Sequence, residues 1–190
     1  MRSEEVTQLL KRLGEGDSSA GDELYPIVYP ELKRIARRQL SKERINHSLQ
    51  PTALLHEVYV KLTEGRPAEF ASRDHFYAFC ARMMRNILVS HARSKQAIKR
   101  GGGAAAFDLD QLSDISQAPE YILVALDRAL ECLEKESPRA YRLVELRFFA
   151  GFDFEEAAKI LGVSSRTLKR DWEAAKLWLY RELRDSKAED

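Results

Sequence analysis

The sequence predicts an all-α protein made of two small helical domains joined by a flexible linker. Apolar residues recur at helical spacing in almost every segment. Gly and Pro are few, and the β-branched alternation of strands is nearly absent. The stretch KRGGGAAAFDLDQLSDISQAP breaks this pattern. Three successive glycines cost backbone entropy in any regular element, and the residues after them are small, acidic and aperiodic. The expected division is a helical domain over 1–100, a linker over 101–119 and a second helical domain over 120–190.

Along the chain, Val6, Leu9, Leu10 and Leu13 fall at i, i+3, i+4 and i+7, and GEGDSS then ends the helix. Leu32, Ile35, Ala36 and Leu40 make a second apolar face. Thr52, following Pro51, suits an N-cap, and Leu55, Val58, Tyr59 and Leu62 form the stripe of the helix it opens. EGRP at 64–67 closes that helix. A further helix is expected from 74 to about 93, with Phe76, Phe79, Cys80, Met83, Ile87, Val89 and Ala92 directed inward. Beyond the linker, 121–133 is amphipathic, Pro138 opens a helix over 139–149, and Gly151 ends it.

Composition fits a soluble globular protein, with 44% hydrophobic and 32% charged residues. No apolar run approaches the roughly 18 residues of a membrane span. MRSEEVTQLLKR lacks the apolar core of a signal peptide. Cys80 and Cys132 stand far apart in apolar helical contexts and read as core thiols in a reducing compartment. A cytoplasmic location is therefore expected. His47, His56, His75 and His91 lack metal-ligand spacing, and neither metal nor cofactor is expected. Catalysis is not expected either: there is no phosphate-binding Gly-rich loop after a strand, no HExxH, and no nucleophile with an evident base.

Net charge is only +1, but its distribution is uneven. From 81 to 100 there are six Lys/Arg and no acid; from 101 to 136 there are eight acids and two bases; from 164 to 184 there are six bases and three acids. Two basic blocks separated by an acidic one suggest two anion-binding surfaces. A solvated helix face explains any one block, but it explains the acid-free twenty-residue run poorly.

The strongest local signal is FDFEEAAKILGVSSRTLKRDWEAAKLWLYREL, which reads as a DNA-binding helix-turn-helix. A short helix over 154–161 is followed by Gly162, suited to a left-handed C-cap, with Val163 plugging the turn. Ser164 or Ser165 caps the second helix, and Leu168, Trp172, Ala175 and Leu179 form its inward stripe. Ala158 is small where the crossing helices approach. The outward face carries Ser165, Arg166, Lys169, Arg170, Glu173 and Lys176. Long cations there suit phosphates or guanine edges, and Glu173 can accept from a cytosine amine. In the first domain, Phe70, Phe76, Tyr77 and Phe79 precede the acid-free basic run. Aromatics beside cations suit single-stranded nucleic acid, although at helical spacing they are more often core.

These strings resemble the extracytoplasmic-function (ECF) group of bacterial sigma-70 factors. QPTALLHEVYVKL is similar to the region 2.2 helix, and FASRDHFYAFCARMMRNILVSHARSKQAIKRGGG to regions 2.3 and 2.4. PRAYRLVELRFFAGFDFEEAAKILGVSSRTLKRDWEAAKLWLYREL is similar to region 4. The resemblance implies a non-catalytic promoter-specificity subunit that binds core RNA polymerase and directs transcription initiation. By this resemblance His56, Glu57 and Lys61 would dock on the β′ clamp helices. Phe70, Arg82, Arg85, Asn86, Ser90, His91 and Arg93 would open and hold the −10 element, with the loop over 64–74 cradling a flipped base. Ser165, Arg166, Thr167, Lys169, Arg170 and Glu173 would read the −35 element, and region 4 would also touch the β flap. An anti-sigma factor is a further expected partner. Ala53, His56 and Trp172 depart from the residues usual in the group.

Two other readings compete. A stand-alone helix-turn-helix regulator would share the second domain and use the first to dimerise or to sense a ligand. A helical interaction module with no DNA role would show no salt-dependent DNA affinity.

Overall fold

The computed structural model describes residues 2–17, 19–40, 50–64, 70–98 and 120–185. Its first element, α1 (Arg2–Gly14), buries Val6, Leu9 and Leu10, as the spacing predicts. The chain then turns at Gly16, whose φ of 93° favours glycine. The Asp17 carboxylate accepts from the N–H and hydroxyl of Ser19 and from Arg12. These donors, Ser19 foremost, lower its pKa to about 2.

The second helix, α2 (Ser19–Gln39), begins well before the apolar face read from the sequence and runs through Pro26 and Pro30. Both prolines are exposed and lie one turn apart, so the carbonyls that lose a partner face solvent. The opposite face buries Leu24, Val28, Leu32, Ile35 and Ala36. In α3 (Pro51–Glu64), Pro51 takes the first helical position and the Leu54 N–H donates to Gln50 O. Thr52 is thus inside the helix rather than its cap, because proline's fixed φ already suits that first position. Leu54, Leu55 and Val58 are buried, whereas Tyr59 is exposed with its ring edge-on to Tyr25.

The long helix α4 (Arg73–Ile98) is central, with α1, α2 and α3 against one side. Phe76, Cys80, Ile87, Val89 and Ala92 are buried as expected. Phe79 is exposed and Met83 only half-buried. Tyr77, Ala81, Met84, Arg85 and Leu88 are buried as well, because a second layer covers the other side of the helix.

That layer consists of α5 (Glu120–Glu136), α6 (Pro138–Val144) and a π-helical turn (Glu145–Ala150). The expected single helix over 139–149 changes winding at Glu145, a local departure that periodicity alone does not signal. Gly151 ends it with φ 82°; a Cβ there would lie 3.2 Å from the Arg38 side chain. The chain finishes with α7 (Phe154–Leu161) and α8 (Ser165–Asp185).

Among the described residues every regular element is helical, so the fold is all-α. None of the described helices is long and apolar enough to cross a membrane. The 101–119 segment and His47 lie outside the described residues. Buried side chains from α1 through α8 form one contiguous apolar cluster. Cys80 belongs to it, and burial pushes its thiol pKa up. Cys132 does not: it is exposed on α5, pointing away from the Leu130 and Leu133 stripe, so its apolar sequence neighbours misrepresent its position.

Candidate nucleic-acid interfaces

The helix-turn-helix is built by local rules. Asp153 caps α7, accepting from the Glu155 and Glu156 N–H groups at 2.8 Å each, while Glu156 accepts from the Asp153 N–H at 2.8 Å. This reciprocal capping box satisfies three helix-start donors. Sequence reading passed over it, although Asp followed three residues later by Glu is its signature. Gly162 ends α7 with φ 67°, as its place in the sequence predicts. Ser164, rather than Ser165, starts α8 by accepting from the Thr167 N–H at 3.1 Å. Leu168, Ala175 and Leu179 are buried and Trp172 is half-buried, so the inward stripe is as expected.

Opposite that stripe, Arg166, Lys169, Arg170 and Glu173 are exposed, with Ser165 and Thr167 half-buried beside them. Lys176 pairs with Glu173 at 3.0 Å, which occupies the one acid on this face. Lys169 lies 5.9 Å from the centre of the Phe154 ring. Arg147 anchors the motif from behind: its Nη1 donates to Phe152 O at 2.8 Å, and its guanidinium lies 3.9 Å from the Phe154 ring centre. Partial burial, then the nearby Arg38, lowers the Arg147 pKa. The result is an exposed cationic face on α8.

The predicted site residues of α4 have a different environment. Arg82, Arg85, Asn86, Ser90 and Arg93 line one side of a cleft of about 380 Å³, and Asp127, Glu131, Glu134 and Tyr141 contribute to the other. Arg85 is only 7% exposed; its Nη1 donates to Asp127 at 2.8 Å and its Nη2 lies 3.2 Å from Glu145. Arg93 reaches the second oxygen of the same Asp127 carboxylate at 3.0 Å. Arg82 lies 3.6 Å from Glu134. Asn86 and Ser90 are exposed. Desolvation raises the Glu145 pKa, opposed by Arg85, and pushes that of Tyr141 up to about 12. Asp127 and Glu145 are the residues sequence reasoning missed. The acidic block signalled them, but which acids meet which cations depends on the packing of α5 on α4.

Phe70 is half-buried, with ring centres 5.2 Å from Phe76, 5.3 Å from Phe79 and 5.8 Å from His75. Residues 65–69 of its loop lie outside the described residues. On α3, His56 and Lys61 are exposed, and Glu57 contacts His91 Nε2 at 3.2 Å. The residues expected to meet polymerase and those expected to meet DNA therefore adjoin through Glu57 and His91. Among the described residues no group of His, Cys, Asp and Glu is arranged to hold a metal.

The family model for the ECF sigma factor matches residues 3–185. No curated protein matches the sequence.

Proposed function

Because this chain belongs to the ECF sigma factor family, a family of promoter-directed transcription initiation factors that work with RNA polymerase, we propose that its two basic faces divide promoter recognition between them. On this reading residues 1–100 and 120–190 act as two units, tethered by 101–119 to one polymerase. In α8, Ser165, Arg166, Thr167, Lys169, Arg170 and Glu173 read the −35 duplex. The observation that carries this is the exposed cationic face of α8 behind a fully capped helix-turn-helix. Arginines there contact phosphates or guanine edges, and Glu173 sets a preference at one base pair.

In the first unit, Arg82, Arg85, Arg93 and His91 hold the −10 strand, and Asn86 and Ser90 contact base edges. The aromatic group around Phe70 provides a stacking surface for an unpaired base, which offsets the few kcal/mol that flipping costs. Exposed His56 and Lys61, with Glu57 beside them, form the docking face for the β′ clamp helices; the last unit also touches the β flap. An anti-sigma factor is a partner of the same surfaces. Work on nucleoid DNA requires a cytoplasmic protein.

Run-off transcription with cognate core polymerase and a promoter pool tests the reading. Promoter-directed initiation that depends on the added chain is the expected result. Arg170→Ala weakens binding of the −35 duplex, whereas Asn86→Ala spares duplex binding and impairs opening. Equal effects of the two changes on duplex affinity refute the division of labour.

A further inference from the structure

The acid on the exposed face of α8 belongs to an asymmetric pair. The Glu173 side chain is 70% exposed, whereas that of Lys176 is only 19% exposed and brings its Nζ within 3.0 Å of Glu173 Oε2. Most of the lysine stem is therefore covered by protein and its ammonium emerges at the surface, which restricts where that charge can sit. By helical spacing Lys176 stands on the side of α8 that carries the half-buried Trp172 one turn earlier and Lys169 two turns earlier. An exposed glutamate has no comparable restraint of its own.

Resting on the assignment of Glu173 to the −35 duplex, we propose that Lys176 is a positioning residue that sets the base preference there without touching DNA itself. Its ammonium holds Oε2 and leaves Oε1 to accept from the N4 amine of a cytosine. Neutralising the carboxylate lets it approach a groove flanked by phosphates, which repel a bare acid. Pinning one oxygen also aims the other, so the acceptor arrives already oriented.

The sequence places Lys176 among outward cations that suit phosphates, but its position separates it from them. Base-edge contacts come from the N-terminal residues of a recognition helix, and Lys176 lies about 16 Å along α8 from Ser165. Arg166 and Arg170, nearer that end, are exposed and have no ion pair among the described residues. The lysine thus serves the one acid of the face, and the arginines remain open to DNA.

The test selects promoters from a pool randomised through the −35 element, using holoenzyme made with the full chain, and reads base preference position by position. The unsubstituted chain prefers cytosine at one position, and Glu173→Ala removes that preference. Lys176→Met keeps the stem and removes the charge. It lowers the preference at the same position about tenfold and leaves the other positions as they were. Lys176→Arg, which keeps the charge, keeps the preference. In a Glu173→Ala background Lys176→Met changes nothing further, because the pair is already broken. Lys176→Gln replaces Lys176→Met should the latter fail to fold by circular dichroism. A folded, uncharged variant that retains the full cytosine preference overturns the proposal. So does a uniform loss of affinity with a salt slope reduced by about one, the mark of a direct phosphate contact. Failure of the underlying reading looks different. Glu173→Ala then leaves every preference intact, or Arg170→Ala leaves −35 selection unimpaired, and the role of Lys176 falls with it.

Discussion

The basic faces of α4 and α8 look alike in composition and differ in what surrounds them. On α8, Arg166 and Arg170 are exposed and have no ion pair among the described residues. On α4, Arg85 is buried between two carboxylates, and Arg82 and Arg93 each lie against an acid of the second half. The difference comes from position in the fold. Helix α8 packs one stripe and leaves the other to solvent, whereas α4 is packed on both sides. An exposed cation on α8 therefore contributes little to stability, while the buried Arg85 of α4 contributes to it.

Replacing one arginine from each face is the sharpest way to break this contrast. Arg85→Ala leaves Glu145 buried without its partner and Asp127 with Arg93 alone, so thermal or denaturant unfolding should show a loss of about 3–5 kcal/mol. A loss within the range of an exposed ion pair, under about 1 kcal/mol, contradicts the burial of that triad. Arg170→Ala should leave unfolding unchanged and weaken −35 duplex affinity by about 1–3 kcal/mol, read by gel shift. A destabilised Arg170→Ala protein puts this side chain in the wrong environment.

Capping gives a smaller effect. Asp153→Ala removes the acceptor of two N–H groups at the start of α7 and should cost about 1 kcal/mol of stability. Asp153→Asn keeps an acceptor and should recover most of it; equal losses for Ala and Asn deny the cap its role.

The smallest effect is a pH dependence. The carboxyl of Glu145 has a raised pKa in the folded protein, caused first by desolvation. A raised carboxyl is least costly to the fold when protonated, and its contribution falls as pH climbs from the ordinary carboxylate range through the shifted value. Glu145→Gln mimics the protonated form. Its melting temperature should therefore exceed that of the unsubstituted chain at neutral pH, with the gap closing on acidification. A gap that widens toward acid reverses the sign and removes the argument.

Much of the second half was legible in the sequence because its signals are local. Gly162 at a left-handed cap, the stripe Leu168, Ala175 and Leu179, and the outward Arg166 and Arg170 follow from helical periodicity and turn chemistry. Less was legible in the first half. Pro26 and Pro30 hid most of α2, since their tolerance depends on facing solvent. Thr52 imitates a cap one residue inside its helix, and Tyr59 and Phe79 sit on an apolar stripe yet remain exposed. Periodicity says which residues share a face; it does not say how wide the buried part of that face is.

By itself the sequence determined the all-helical class, the Gly162 turn between α7 and α8, and the presence of basic and acidic blocks, because each depends on residues within a few turns of one another. Only the tertiary structure decided which acid meets which cation. Arg85 and Asp127 are 42 positions apart, and Gln39 and Phe149 are 110 apart. Contacts over such separations are set by how the amphipathic helices pack, and packing is a property of faces brought together rather than of the order of residues within any one of them.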